Sequence, residues 1–484
     1  MWDICEHVDN KKKYFIYGKE LLGRFCCDKI CEKYGDDIVI GYIETNPQHE
    51  PFDGWKKVFS PVEAKRYITE NTGVIITGRT SYEQMKQTCI ELGVLEENMI
   101  FPHAILPFLI NGYQNELHSL CIWPPISRNN QDLIMKLKWF APTRVKIDVF
   151  ADRLMVGDNL PVNAKVCDEK EYERIMEQSD AILIWDTNRE DDLQSKYPGK
   201  IRIIDPEFYE SIDMLNYLKI FHSSFSKEEK EDMRKHSLEV FNNMILEGRE
   251  YDRANVFCSG PSISEIYDME DANISNGFNI ICNSMVKDKI LLEKLCPKVQ
   301  VFLDTNFFHS PGKYGEAFYK DLLDAYEKYH FYVVVWEFQY PLLLHRYPQM
   351  KDRLIGITFI TKPGVYWFID SENFKSNSTK NVLTEIMLPI ASSACDVIGI
   401  AGCTGRNEKE NYFWQHNDRT QYNDLKKYVI EEWPGFFKYR RYDSYFDRHC
   451  RIVKEILEYG ESIGKTYINY TTSFIPALES RSIN

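Results

Sequence analysis

Five short stretches of this 484-residue chain combine residue types able to hold a phosphate or accept a proton. The first is Ser259-Gly260-Pro261-Ser262, which ends the apolar run Asn255–Cys258 before a helical pattern resumes near Ile263. A strand that breaks at Gly-Pro-Ser and restarts as a helix offers backbone N–H groups and the positive end of a helix dipole, both of which favour an anion. The strand Phe278–Cys282 ends on Asn283, and the strand that begins at Val299 ends on Asp304-Thr305-Asn306. In a parallel sheet such ends share one edge, where ligands are met. Thr379 and Asn381 open a helix that runs through Ile390, with hydroxyl, amide and N–H donors at its start. The strand from Asp396 runs into Gly402-Cys403-Thr404-Gly405-Arg406. Glycines there allow close backbone approach, and a guanidinium can grip a phosphate with two hydrogen bonds.

Histidine supplies the candidate base. His449 precedes Ile452 and Val453 by three and four residues, which places it on the buried stripe of the last helix, from about Ser444 or Asp447 to Ser462. The helix dipole near its start keeps an imidazole neutral, the form a general base needs; a satisfied core histidine has the same pattern. His416 lies in the loop Asn411–Tyr422, which mixes Tyr412, Phe413 and Trp414 with amides. That mixture suits a lid or acceptor wall, because aromatic faces stack on sugar rings and amides bond hydroxyls, or else a small aromatic core beneath a surface loop.

The elements that must carry these groups follow an alternating pattern. Apolar strands at Lys12–Gly18, Ile38–Glu44 and Gly73–Thr77, separated by helical segments, predict a parallel sheet in residues 1–116. Gly18 and Gly23 resemble two glycines of a dinucleotide fingerprint, with Glu20 between them, where a carboxylate would repel a pyrophosphate. A second α/β unit is expected over 117–225, from strands near Leu117, Val145, Ala181 and Ile201. Ser226 and Glu229 form a capping-box pattern that opens a charged helix, read as a linker over 226–248. The remaining unit, 249–484, adds strands at Tyr332–Trp336, which ends on Glu337, and Thr466–Tyr470, which runs into Thr471-Thr472-Ser473. The expected fold class is multidomain α/β with Rossmann-like parallel sheets.

Composition narrows the partners. With 59 basic and 73 acidic residues the net charge is −14, which argues against nucleic acid or an anionic membrane as the main partner. The N-terminus is charged and lacks a signal-peptide core, and no apolar run approaches the ~18 residues of a membrane span. The thirteen cysteines include no C-x-x-C pair and read as reduced, buried thiols of a cytoplasmic protein.

Strand-x-S-G-P-S-I-x-E, a strand ending C-N, an apolar strand into G-C-T-G-R, and a closing helix and strand into T-T-S resemble the bacterial sialyltransferases of glycosyltransferase family 42. They also resemble the wider group that contains 6-hydroxymethylpterin diphosphokinase-like proteins. The resemblance runs from Asn255 to the C-terminus and implies a GT-A-like, sialyltransferase-type domain. It implies that Ser259, Gly260, Pro261, Ser262 and Asn283 hold the cytidine nucleotide of a CMP-sugar. The family's T-S-G segment falls on Ser378, Thr379 and Asn381, where glycine is replaced. Its leaving-phosphate tyrosines fall on Arg406 and Tyr412, its aspartate on Thr404, and its catalytic histidine on His449 or, second, His416. The chain has no D-x-D triplet, and a CMP-sugar carries a single phosphate, so the expected donor is CMP-linked with no essential metal or other cofactor. The resulting expectation is a cytoplasmic enzyme, at the inner face of the membrane, that transfers a nonulosonic acid to a glycan or lipid-linked glycan acceptor. An ATP-dependent pterin-type diphosphokinase and a catalytically silent nucleotide- or sugar-sensing subunit are the alternatives.

Overall fold

A computed structural model of the protein describes residues 4–19, 21–45, 56–77, 82–102, 116–126, 144–151, 162–184, 193, 195–203, 218, 221–270, 272–309, 312–360, 362, 364–379, 381–405, 417–432 and 443–482. Among the described residues the chain is α/β with three sheets, and every strand pairing in them is parallel. It divides into two compact units: residues 1–138, 143–213 and 435–440, and residues 139–142, 214–434 and 441–484.

The N-terminal unit holds two five-stranded sheets. The first is built from β1 (Lys13–Tyr17), β2 (Val39–Ile43), β3 (Val58–Phe59), β4 (Thr72–Ile76) and β5 (Met99–Ile100) in the order β3-β2-β1-β4-β5. The second contains β6 (Ser119–Ile126), β7 (Lys146–Ala151), β8 (Ala164–Cys167), β9 (Ala181–Ile184) and β10 (Ile201–Ile203) in the order β10-β9-β6-β7-β8. Counted from its own first strand, each sheet has the order 3-2-1-4-5, so the unit repeats one topology. The strands are short Val- and Ile-rich runs because helices cover both faces of a parallel sheet. Ile16, Cys26, Ile30 and Tyr42 from the first half share one core with Trp123, Phe150, Ile175 and Ile182 from the second.

The first sheet closes its own switch point. Thr77 Oγ1 lies 2.9 Å from both Tyr17 O and Gly18 O, and Lys19 N–H donates to Glu44 Oε1 at 2.6 Å. A Cβ on Gly23 would stand 1.9 Å from Gly18 O, so that glycine serves close packing of helix on strand. Glu20 lies outside the described residues.

The C-terminal unit is one eight-stranded sheet. Its strands are β11 (Ala254–Phe257), β12 (Phe278–Cys282), β13 (Val299–Val301), β14 (Tyr332–Trp336), β15 (Leu354–Ile360), β16 (Lys375–Asn377), β17 (Val397–Ala401) and β18 (Thr466–Asn469). They lie in the order β16-β15-β14-β13-β12-β11-β17-β18, so the chain builds outward from β11 in one direction and then returns to its other side. The capping box at Ser226 and Glu229 forms as expected and opens the helix Lys227–Gly248. That helix packs along the sheet rather than standing apart from it. Ser237 Oγ accepts from Gly356 N–H at 3.1 Å, Arg353 pairs with Glu247 at 3.1 Å, and a Cβ on Gly248 would stand 2.7 Å from that of Ala394. On the helix Lys313–Tyr329, Tyr314, Phe318, Leu322 and Ala325 recur at three- and four-residue spacing and are all buried.

Candidate functional site

The reversal of strand order sets the ends of β11 and β17 side by side, and the turns that follow them are bonded to each other. Cys258 N–H donates to Ala401 O and Gly260 N–H to Gly402 O, both at 2.9 Å. Gly402 has φ 71°, and a Cβ there would stand 2.1 Å from Cys258 O; one on Gly260 would stand 2.4 Å from Gly402 O. Both positions admit only glycine.

Hydroxyl groups fill the space above. Ser262 N–H donates to Thr404 Oγ1 at 2.9 Å, and the Ser262 and Thr404 hydroxyl oxygens are 2.7 Å apart. Thr471 Oγ1 accepts from Gly402 N–H at 2.8 Å and from the Ser262 hydroxyl at 3.3 Å. Ile263 N–H returns to Gly260 O at 3.0 Å, Ser259 N–H faces the Cys282 sulfur, and Pro261 has no N–H. The turn was expected to present free amides to an anion, and the structure differs: the N–H groups of Gly260, Ser262 and Ile263 each have an acceptor within the protein. The helix that follows, Pro261–Asp268, is of the tight 3₁₀ form, and its Glu265 accepts from Thr472 N–H at 3.0 Å. The Cys258 thiol, and then burial, push the Cys282 thiol well above its usual range.

At the neighbouring strand ends some of the polar groups are likewise bonded within the protein. Asn283 sits in the left-handed region at φ 52°, which asparagine tolerates, and its carbonyl accepts from Gln300 Nε2 at 2.8 Å. Asp304 accepts from Phe307 N–H at 3.3 Å and so caps the short helix Thr305–Phe308. The Thr379 hydroxyl lies 2.7 Å from that of Thr384, and Asn381 Oδ1 accepts from Leu383 N–H at 3.0 Å. These two residues start a helix whose first segment, Leu383–Met387, has π-helical turns, and the buried Glu385 on it accepts from Ser378 Oγ at 3.0 Å.

Arg406, Tyr412 and His416 lie outside the described residues. The far end of their loop is described and is fixed to the sheet. Ser284 Oγ donates to Thr420 O at 2.7 Å, and Lys287 Nζ donates to Asp418 O at 2.9 Å and Gln421 O at 2.7 Å. Tyr422 OH donates to Asp321 at 2.6 Å, and Arg419 pairs with Asp288 at 3.3 Å while lying over the Tyr267 ring. Residues 417–422 therefore form a fixed wall across the ends of β11 and β12.

His449 sits on the helix Asp443–Ser462 as its spacing predicts, and it is 3% exposed. Burial, and then the charge of Arg448, lower its pKa to about 3 and keep the ring neutral. A ring so enclosed does not reach an acceptor hydroxyl, so the core alternative describes it better. On the same helix Phe446 lies against Gly405, whose φ is 72°.

The sequence marks Thr471 only as one of several strand-end hydroxyls. Its part as a double acceptor depends on β18 lying beside β17, which no local pattern reveals. Among the described residues no group of three His, Cys, Asp or Glu side chains is placed to hold a metal ion, and no helix is long and apolar enough to cross a membrane. No protein-family model matches the chain, and a search of curated proteins finds no match.

Proposed function

We propose that the C-terminal unit is a GT-A-like, sialyltransferase-type glycosyltransferase that moves a nonulosonic acid from a CMP-sugar to a glycan hydroxyl. The observation that carries this reading is the meeting of the S-G-P-S and G-C-T-G turns, 142 residues apart at Ser262 and Thr404, at the strand-order reversal of a parallel sheet. Ligands of open α/β sheets bind in the crevice at such a point. Because the amides of the first turn are already paired, the departing CMP phosphate is assigned to Arg406 and Tyr412, which follow the second turn. His416 takes the acceptor proton, while the buried His449 stays within the core. The paired amides favour one other reading, a catalytically silent nucleotide- or sugar-sensing subunit.

Thermal-shift measurements with CMP, and separately with ATP and Mg²⁺, together with turnover of a CMP-sialic acid, test the proposal. CMP is expected to raise the melting temperature. Arg406→Ala is expected to lower kcat by about 10²-fold, the loss typical of removing one donor to a developing charge. Stabilisation by ATP and Mg²⁺ alone would point to a diphosphokinase. Stabilisation by CMP without turnover would point to the sensing subunit.

A further inference from the structure

The N-terminal unit carries a pair of sulfurs that the C-terminal sheet does not involve. The helix Leu21–Tyr34 holds Cys26 and Cys27 and, one turn on, Cys31. Residues four apart share a helical face, and the Cys27 and Cys31 sulfurs lie 3.9 Å from each other. Cys27 is 2% exposed in the core beneath the helix, and Cys31 is half-buried at the edge of that core, so the pair joins interior to surface. Cys26 is turned elsewhere and lies near Cys5. The Cys27 sulfur also bonds with the hydroxyl of Tyr42, which is fully buried on β2. The charge of Lys56 acts on both sulfurs, and its ammonium is fixed in place by donating to Asp36 O.

The pair is set too wide for a disulfide. Cβ atoms four residues apart on a helix stand about 5–6 Å from each other, against the roughly 3.5–4.5 Å that an S–S bond needs, so that bond would unwind the helix. An ion between the sulfurs demands less. With metal–thiolate bonds of about 2.3 Å, two sulfurs can stand up to about 4.6 Å apart, and the observed 3.9 Å corresponds to an S–metal–S angle of about 115°. Thiolates select soft ions, Cu(I) and Zn²⁺ among them. Zn²⁺ takes four ligands, and among the described residues no third His, Cys, Asp or Glu is placed to join the pair. Cu(I) accepts two thiolates alone.

We infer that Cys27 and Cys31 form a binding site for one Cu(I) ion. Each thiol releases its proton to water as the ion binds, and no electron is transferred. The resulting bis-thiolate complex carries one net negative charge, which would be costly at the edge of a core without a partner. Lys56 supplies the opposite charge. The inference is independent of the transferase reading.

Titration of the reduced full chain with Cu(I), in the absence of oxygen and against the chelator bicinchoninate, tests it. The wild type is expected to withdraw one Cu(I) per chain from the chelator, with sulfur neighbours in the copper X-ray absorption spectrum. Cys27→Ser and Cys31→Ser are each expected to weaken this binding by about 100-fold or more, and Lys56→Met by about tenfold, since even outer partners of a metal site are worth about 10–100-fold in affinity. Cys296→Ser, which removes the exposed thiol, should leave it unchanged. Cys31 is only half-buried, so an unchanged melting temperature of metal-free Cys31→Ser shows that lost binding is not lost fold, and that variant decides the question even where Cys27→Ser does not fold. Binding unaffected by Cys31→Ser overturns the inference, as does a wild type that withdraws no Cu(I). Loss of the ion in Cys296→Ser assigns it to an adventitious surface thiol and also overturns it. Zn²⁺ held as tightly as Cu(I) would reveal ligands beyond the pair and overturn the choice of ion.

Discussion

The two ends of the C-terminal sheet edge solve opposite problems. At β11, β17 and β18, three turns from distant parts of the chain meet, and Ser262, Thr404 and Thr471 satisfy one another and the backbone between them. At β14 and β15 a tight turn is anchored from beneath by Gln339, and the side chains of Trp336 and Glu337 are left at the edge. The difference teaches that polar residues at a strand end are not by themselves a binding site. Where loops converge, their donors are consumed by one another across the turns; where a turn is held by a buried residue of its own, its side chains pair with the adjacent strand, as Glu337 does with Thr358 and Trp336 with Phe359.

Substitutions that break this contrast should cost more stability at the first edge than at the second. The largest effect is expected for Gly402→Ala. Its φ of 71° and the 2.1 Å approach of Cys258 O combine a left-handed backbone penalty with overpacking, about 3 kcal/mol together, read as a lower urea midpoint of the C-terminal unit. A variant as stable as wild type would show the two turns are not in contact. Thr404→Val should follow at about 2 kcal/mol, because it leaves the buried Ser262 N–H without its acceptor. Thr471→Val should act on the same network, so the double substitution should cost less than the sum of the two.

Acid should loosen the buried histidines in the same unit. His449 and His309 both have pKa values lowered to about 3, each chiefly by burial, so the folded state binds no proton where the unfolded chain does. Stability is therefore present in full above the unfolded value near 6.5 and is lost as pH falls from there toward 3. Each histidine should cost about 2 kcal/mol by pH 5. Urea midpoints at pH 7 and pH 5 check this, and His449→Gln should flatten the dependence. The smallest effect on stability is expected for Glu337→Gln, under about 0.5 kcal/mol, since the residue is half-buried and the hydrogen bond from Thr358 has an oxygen to go to in either side chain. A large loss there would make the β14 turn structural like its counterpart.

Much of the scaffold was legible from local pattern. The runs Phe278–Cys282, Tyr332–Trp336 and Val397–Ala401 are apolar and β-branched because helices cover both faces of the sheet, and Ser226 with Glu229 announces the helix to Gly248. β3, β5, β8, β15 and β16 were not foreseen. β3 and β5 are two residues long, Lys165 interrupts β8, β16 is the polar run Lys375–Asn377, and Leu354–Ile360 follows the short 3₁₀ segment Pro348–Arg353 rather than a full helix.

Chemistry was less legible than scaffold. The residue types at 259–262 and 402–405 suit an anion, and their sequence places a Gly-Pro turn after β11 and a glycine-bracketed turn after β17. Whether the amides stay free depends on the distance between two turns far apart in the chain, and that distance is set by β17 returning to the open side of β11. Likewise, helical spacing put His449 on a buried stripe, but only packing decided that the burial is nearly complete. Local sequence determines which backbone groups and side chains a strand end can offer, because propensity and periodicity act over a few residues. Tertiary structure decides which of those groups are already paired, because hydrogen bonds are short and the partners come from anywhere in the chain.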